Sequence, residues 1–220
     1  SPKIAPSVPG RGAPHPQAQS GSAGSLPEGH PPLEIPEQVK QALRDLAAQA
    51  AAKPEDAQPW KRLGEMQYRA AQLQPIYLTD AAASYKHVLE HDPDDLDAIH
   101  ALGNIAFDQQ DGDQAIAYYK QYLAKKPDDL EVQTDLATMY LSSGNANEAI
   151  QRYQDILKTN PKFFQAQFNL AIAYRSLGDL EKSLDAFEKA RPLAPDEQTR
   201  TQVEQLLARA PPVALAGHRP

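Results

Sequence analysis

From residue 37 to about residue 210, apolar side chains recur every three or four positions with polar ones between them, the spacing that gathers them on one face of a helix. The first such stretch carries Val39, Ala42, Leu43, Leu46 and Ala50, and Lys53 and Pro54 close it. Beyond it the period breaks and resumes repeatedly, which predicts helix, turn, helix throughout. The breaks are regular. Pro93, Pro127, Pro161 and Pro195 stand 34 residues apart in succession, and Pro54 precedes Pro93 by 39, one period plus five. A fixed period of this length is the signature of stacked structural repeats.

Other positions keep the same phase. Leu63, Leu102, Leu136 and Leu170 share one register, and the next residue is always small: Gly64, Gly103, Ala137 and Ala171. Further on come the small residues Ala81, Ala115, Ala149 and Ser183, each followed four positions later by an aromatic: Tyr85, Tyr119, Tyr153 and Phe187. Two antiparallel helices approach closely only where side chains are small, and large residues beside the contact fill the remaining space. One such helix pair cannot bury its apolar face alone, so stacking on neighbours completes the core. The prolines and their adjacent aspartates, Asp94, Asp95, Asp128 and Asp129, are expected to end one helix and cap the next.

These residues resemble the tetratricopeptide repeat family. Trp60-x-x-Leu63-Gly64 opens the first unit, and Leu136-Ala137-x-x-Tyr140 and Leu170-Ala171-x-x-Tyr174 match the family register. The resemblance implies an all-α, right-handed superhelical solenoid of antiparallel helix pairs. On that register the chain divides into an extended Pro/Gly/Ser-rich tether at 1–36, a half-repeat helix at 37–56 and repeats at 57–95, 96–129, 130–163 and 164–195, then a capping helix at 196–210 and a tail at 211–220. The five extra residues of the first repeat fall near Leu73–Thr79, where Pro75, Ile76, Tyr77 and Leu78 make the turn apolar. Exposed apolar clusters are uncommon, so this turn is expected to fold back onto the core, with a contact site as the alternative. Gln133 and Gln167 depart from the pattern, standing where Trp60 and Ile99 stand, as do Gln67 and Ala106 in the place of Tyr140 and Tyr174.

By the same resemblance the first helix of each repeat lines a concave groove. The register then assigns to it Lys61, Glu65, Tyr68 and Arg69; Asp97, His100, Asn104, Phe107 and Asp108; Glu131, Thr134, Asp135, Thr138 and Leu141; and Gln165, Phe168, Asn169, Ile172 and Arg175. Tyr68, Phe107, Leu141, Phe168 and Ile172 are apolar where packing between repeats does not require it, which implies a groove for a partner helix or extended peptide. The capping helix or the N-terminal tail is the competing explanation for Phe168 and Ile172. Relatives that grip a C-terminal carboxylate do so with Lys, Asn, Asn, Lys and Arg. Here those places hold Lys61, Glu65, Ala101, Glu131 and Asp135, and three carboxylates would repel such a ligand.

Composition narrows the reading further. Nine of the twenty prolines fall within 1–36, too little apolar material to offset the entropy of ordering that segment. The net charge of −7 argues against nucleic acid, whose phosphates call for a basic surface. The absence of cysteine excludes disulfides and thiolate chemistry. No glycine-rich phosphate loop or serine elbow is present, so neither an enzyme nor a small-molecule substrate nor a cofactor is expected. His87 and His91 lie four apart beside Asp92, a spacing that can share a metal, but without a third ligand at a telling distance a solvated helix face is the preferred reading. His30 is a lone histidine in the tether.

The expectation is therefore a non-catalytic scaffold that binds a protein or peptide in its groove during assembly of a larger complex. A structural subunit strapped to its neighbours by the proline-rich tail is the alternative. An anchor, a linker and repeats together resemble bacterial tetratricopeptide proteins of the cytochrome c maturation type. That plan implies a membrane tether through a segment upstream of Ser1 and a periplasmic or extracytoplasmic location, with the cytoplasm as the alternative.

Overall fold

The computed structural model describes residues 34–209, all within the second of the two units, Ser1–Pro32 and Leu33–Pro220, into which the chain divides. The expected tether up to residue 33, His30 and the tail from residue 210 lie outside the described residues. Those described are helical throughout, with no strand among them. The helices are α1 (Glu37–Ala52), α2 (Ala57–Ala71), α3 (Tyr77–His91), α4 (Leu96–Asp108), α5 (Gly112–Lys125), α6 (Leu130–Ser142), α7 (Ala146–Thr159), α8 (Phe164–Ser176), α9 (Leu180–Ala190) and α10 (Glu197–Ala208), with a 3-10 turn at Arg191–Leu193 between the last two. α2–α3, α4–α5, α6–α7 and α8–α9 are the paired helices, and each pair stacks on the next to give the right-handed superhelical solenoid.

The 34-residue registers explain the pairing. Ala81, Ala115, Ala149 and Ser183 are buried to 3% exposure or less, and the aromatics one turn later follow them into the core. Tyr85 and Tyr119 press so closely on the facing helix that a Cβ at Gly64 or Gly103 would sit 2.9 Å and 2.6 Å from their rings. In the last two pairs the equivalent alanines, Ala137 and Ala171, are fully buried beside Tyr153 and Phe187.

Helix starts follow the acidic residue after each proline. Asp56, Asp95 and Asp129 accept from the backbone N–H of Gln58, Ala98 and Val132, whereas Asp94 and Asp128 cap nothing. α8 breaks the series, because Phe163 stands at its N-cap, offers no acceptor and packs instead against the surrounding core. The two departures at Gln133 and Gln167 have polar work. The Gln133 amide donates to the carbonyl of Pro127, as the Trp60 indole does to Pro54 six residues before it, and Gln167 donates to the Ala186 carbonyl at 3.3 Å.

Two expectations need correction. The tether does not extend to residue 36, because Ile35 is 2% exposed and packs with Leu43, Ala50, Leu63 and Ala70. The apolar turn of the first repeat folds back only in part. Tyr77 and Leu78 pack on the core, while Leu73 and Ile76 remain 43% and 75% exposed. The extra residues are divided between a longer α2, a longer turn and an earlier start to α3, which leaves the turn's tip with no core to reach.

Candidate partner-binding groove

Among the first helices of successive pairs, polar side chains tie α2 to α4 and α6 to α8. Lys61 on α2 reaches Asp95 at 2.9 Å and Asp97 at 2.7 Å across the next repeat. Burial alone would lower its pKa, but the hydrogen bonds to Asp97 and Asp95 outweigh that and hold it raised. The same bond from Lys61 holds Asp97 below the ordinary carboxylate value. Tyr68 donates to Asp108 at 2.7 Å, and burial followed by that carboxylate pushes its phenol well above the usual value. Asn169 on α8 donates to Thr138 on α6 at 3.3 Å, and the Thr138 hydroxyl also meets Tyr153 at 2.9 Å. Tyr119 donates to Asn104 at 2.9 Å.

The residues assigned to the groove differ in exposure, and Thr134 and Asn169, at 1% and 7% exposed, are buried. Glu65, Arg69, Asp97 and Glu131 are exposed, and Glu65 pairs with Arg69 at 2.6 Å. Lys61, Tyr68, Asn104, Phe107, Asp108, Asp135, Thr138, Leu141 and Ile172 are half-buried in the wall. Phe168 leaves the groove altogether. It is 3% exposed and packs edge-on to Phe187, with ring centroids 5.4 Å apart, because α8 is covered where α9 and α10 close the array. His100 is half-buried too, but its ring lies 5.2 Å from that of Tyr122 on α5, so it serves the packing of the α4–α5 pair more than the open face.

Electrostatically the wall is acidic. Its nearest lysine is already held by Asp95 and Asp97, and Arg69 by Glu65. Asp135 on α6 is half-buried. Burial pushes its carboxyl up to about 7, with Glu131 and Asp129 adding to the effect. The groove register alone offers Lys61 as a free cation and does not show its engagement by Asp95. The two are 34 residues apart where the first repeat is 39 long, so Asp95 is not the register equivalent of Lys61 and the pairing has no sequence signal of its own.

On the outer side, His87 on α3 contacts the Pro54 carbonyl through Nε2 at 2.8 Å and stacks on Trp60 with ring centroids 4.0 Å apart. Asp92, its expected companion, accepts from the Asp94 N–H and so serves the turn. The residue that joins the two histidines is Glu90. His87, Glu90 and His91 each offer a ligand atom within 4.8 Å of the others. The i, i+3, i+4 spacing could have found it.

The model of the tetratricopeptide repeat family matches residues 78–139, 106–163 and 140–210, together more than half of the chain. No curated protein matches it. Among solved structures, a crystal structure of MamA is 21% identical, with 79% of this chain and 92% of that chain covered and a TM-score of 0.62. MamA from Desulfovibrio magneticus RS-1 is 18% identical over 70% of this chain and 85% of that chain, with a TM-score of 0.63. At such identities the likeness is one of fold, and the expected link to cytochrome c maturation finds no support in these matches. The repeated register, the paired helices and the family match converge: this chain belongs to the tetratricopeptide repeat family.

Proposed function

We propose that this protein is a non-catalytic interaction scaffold whose concave face holds a helix or extended segment of a partner protein during assembly of a larger complex. The observation that carries the reading is the wall of the groove. Tyr68, Phe107 and Leu141 occupy one register on α2, α4 and α6, are half-buried, and stand among Glu65, Asp97, Asp108, Glu131 and Asp135. Apolar anchors set in an acidic wall suit a segment that brings both apolar and cationic side chains. They do not suit a free carboxylate terminus. Among the described residues no helix is long and apolar enough to cross a membrane.

Site-resolved crosslinking tests the reading. A photoreactive residue in place of the exposed Glu65 is expected to capture a partner in the native cell, and the same residue in place of the exposed Lys86 on α3 is not. Adding Phe107→Glu to the Glu65 probe is expected to cut capture at least about tenfold, since a buried unpaired charge opposes docking. Equal capture from both faces, or capture indifferent to Phe107→Glu in a chain of unchanged helicity, would sink the groove reading.

A further inference from the structure

The carbonyl of Pro54, in the turn between α1 and α2, meets two ring nitrogens: Nε1 of Trp60 at 3.1 Å and Nε2 of His87 at 2.8 Å. A carbonyl has no proton to give, so Nε2 of His87 is the donor, and this fixes the ring. The next repeat uses the place in the same way. Gln121, one period after His87, directs its amide N–H at the Pro93 carbonyl. With Nε2–H committed, a neutral His87 presents a lone pair at Nδ1, and that atom lies 3.3 Å from Oε2 of Glu90. Acceptor then faces acceptor. The contact is favourable only with a cation there, either a second proton on the ring or a metal ion.

The surroundings favour the metal. His91, one turn beyond His87 on α3, is exposed and free to adjust its rotamer, and its ring centroid lies 5.1 Å from that of His87. The three ligand atoms already lie within 4.8 Å of one another. Ligands bound at about 2.0–2.2 Å from one ion stand roughly 3–3.5 Å apart, a small adjustment for an exposed side chain. A metal-bound imidazole characteristically donates its other N–H to a carbonyl or carboxylate, and the Pro54 carbonyl already fills that role. Two imidazoles and one carboxylate suit late first-row ions and not calcium or magnesium, which take oxygen.

We propose that His87, Glu90 and His91 form a surface site for a late first-row divalent cation such as zinc, nickel or copper, braced by the Pro54 carbonyl. Three protein ligands leave coordination positions open to water or to a donor from another molecule. Bound metal would also clamp the last turns of α3 against the α1–α2 turn. The site lies on a second helix of a pair, away from the residues of the groove, and neither proposal depends on the other.

Trp60 is the only tryptophan of the chain and stacks directly on His87, so its fluorescence reports on the site. Copper(II) added to the full chain is expected to quench it saturably at one equivalent. Zinc, which does not quench, should compete with copper and raise the thermal midpoint of the chain. His15, His30, His100 and His218 remain in every variant, so comparison among variants localises the effect. His91→Lys places there the residue that Lys125 supplies one period later, keeps the exposed helix face polar, and is expected to abolish saturable quenching. Glu90→Gln should weaken it about tenfold or more. Absence of saturable quenching, or quenching unchanged in both variants, would leave a proton as the cation at His87 and overturn the site.

Discussion

Asp135 shows what a single position can hide. Its sequence context marks it as a groove carboxylate, and nothing in the string announces that burial moves its titration to about 7. In an unfolded chain the same carboxyl titrates near 3.9. Between those two values the folded chain keeps a proton that the unfolded chain has released, so this group makes the fold more stable as pH falls from about 7 toward 4. Above 7 the buried charge opposes folding by at most about 4 kcal/mol, since each tenfold change in proton affinity is worth ~1.4 kcal/mol. Asp135→Asn is therefore expected to raise stability by about 1–3 kcal/mol at pH 8 and to change it little at pH 5. Urea unfolding of both chains at the two pH values checks it, and an equal difference at each would contradict the assignment. Glu90 makes the same point from the outer face. Its importance comes from the fixed tautomer of His87, and that depends on a carbonyl 33 residues earlier in the chain.

At the scale of the element, the helices were legible and their ends less so. Proline spacing, the small-residue registers and the aromatic one turn later placed the pairs, because each reflects a steric need that recurs unchanged in every repeat. The closing turns carry a signal of their own. Gly144 and Gly178 adopt φ of +82° and +77°, and in each the following residue's N–H reaches back to the carbonyl five residues before it, at Tyr140 and Tyr174. Gln110 occupies the same place one period earlier and is forced to φ +60°, with Asp111 bonding back to Ala106. A side chain in the left-handed region costs about 1 kcal/mol relative to glycine. Gln110→Gly is expected to stabilise the chain by about 0.5–1 kcal/mol, read as a higher urea midpoint at unchanged slope. Gly178→Gln should do the opposite. The inserted turn resisted reading for a different reason. Its apolar character suggested burial, but only Tyr77 and Leu78 have core within reach, and Ile76 at the tip does not.

For the molecule as a whole, a stack of helix pairs has stability that is nearly a sum of local terms, since each pair touches only its neighbours. The described residues carry four core clusters along the array, and the burial of Phe168 follows from that layout, since the α8 wall is closed by α9 and α10 where the groove ends. The sequence register places Phe168 on the inner helix with the capping helix as the competing explanation, and its burial in the cluster that holds Val203 favours that cover. Leu136 lies in the cluster formed by α4, α5 and α6, is 2% exposed and packs with Ile99, Tyr119 and Val132. Leu136→Ala leaves a cavity where two pairs meet and is expected to cost about 2–5 kcal/mol. The loss should not be uniform. Hydrogen exchange is expected to quicken most in α4 through α7, which share that junction, and least in α1 and α10, whose anchors Ile35, Leu43 and Val203 belong to other clusters. A uniform acceleration from α1 to α10 would mean that the array unfolds as one cooperative body, and the repeat-by-repeat account of its stability would have to be given up.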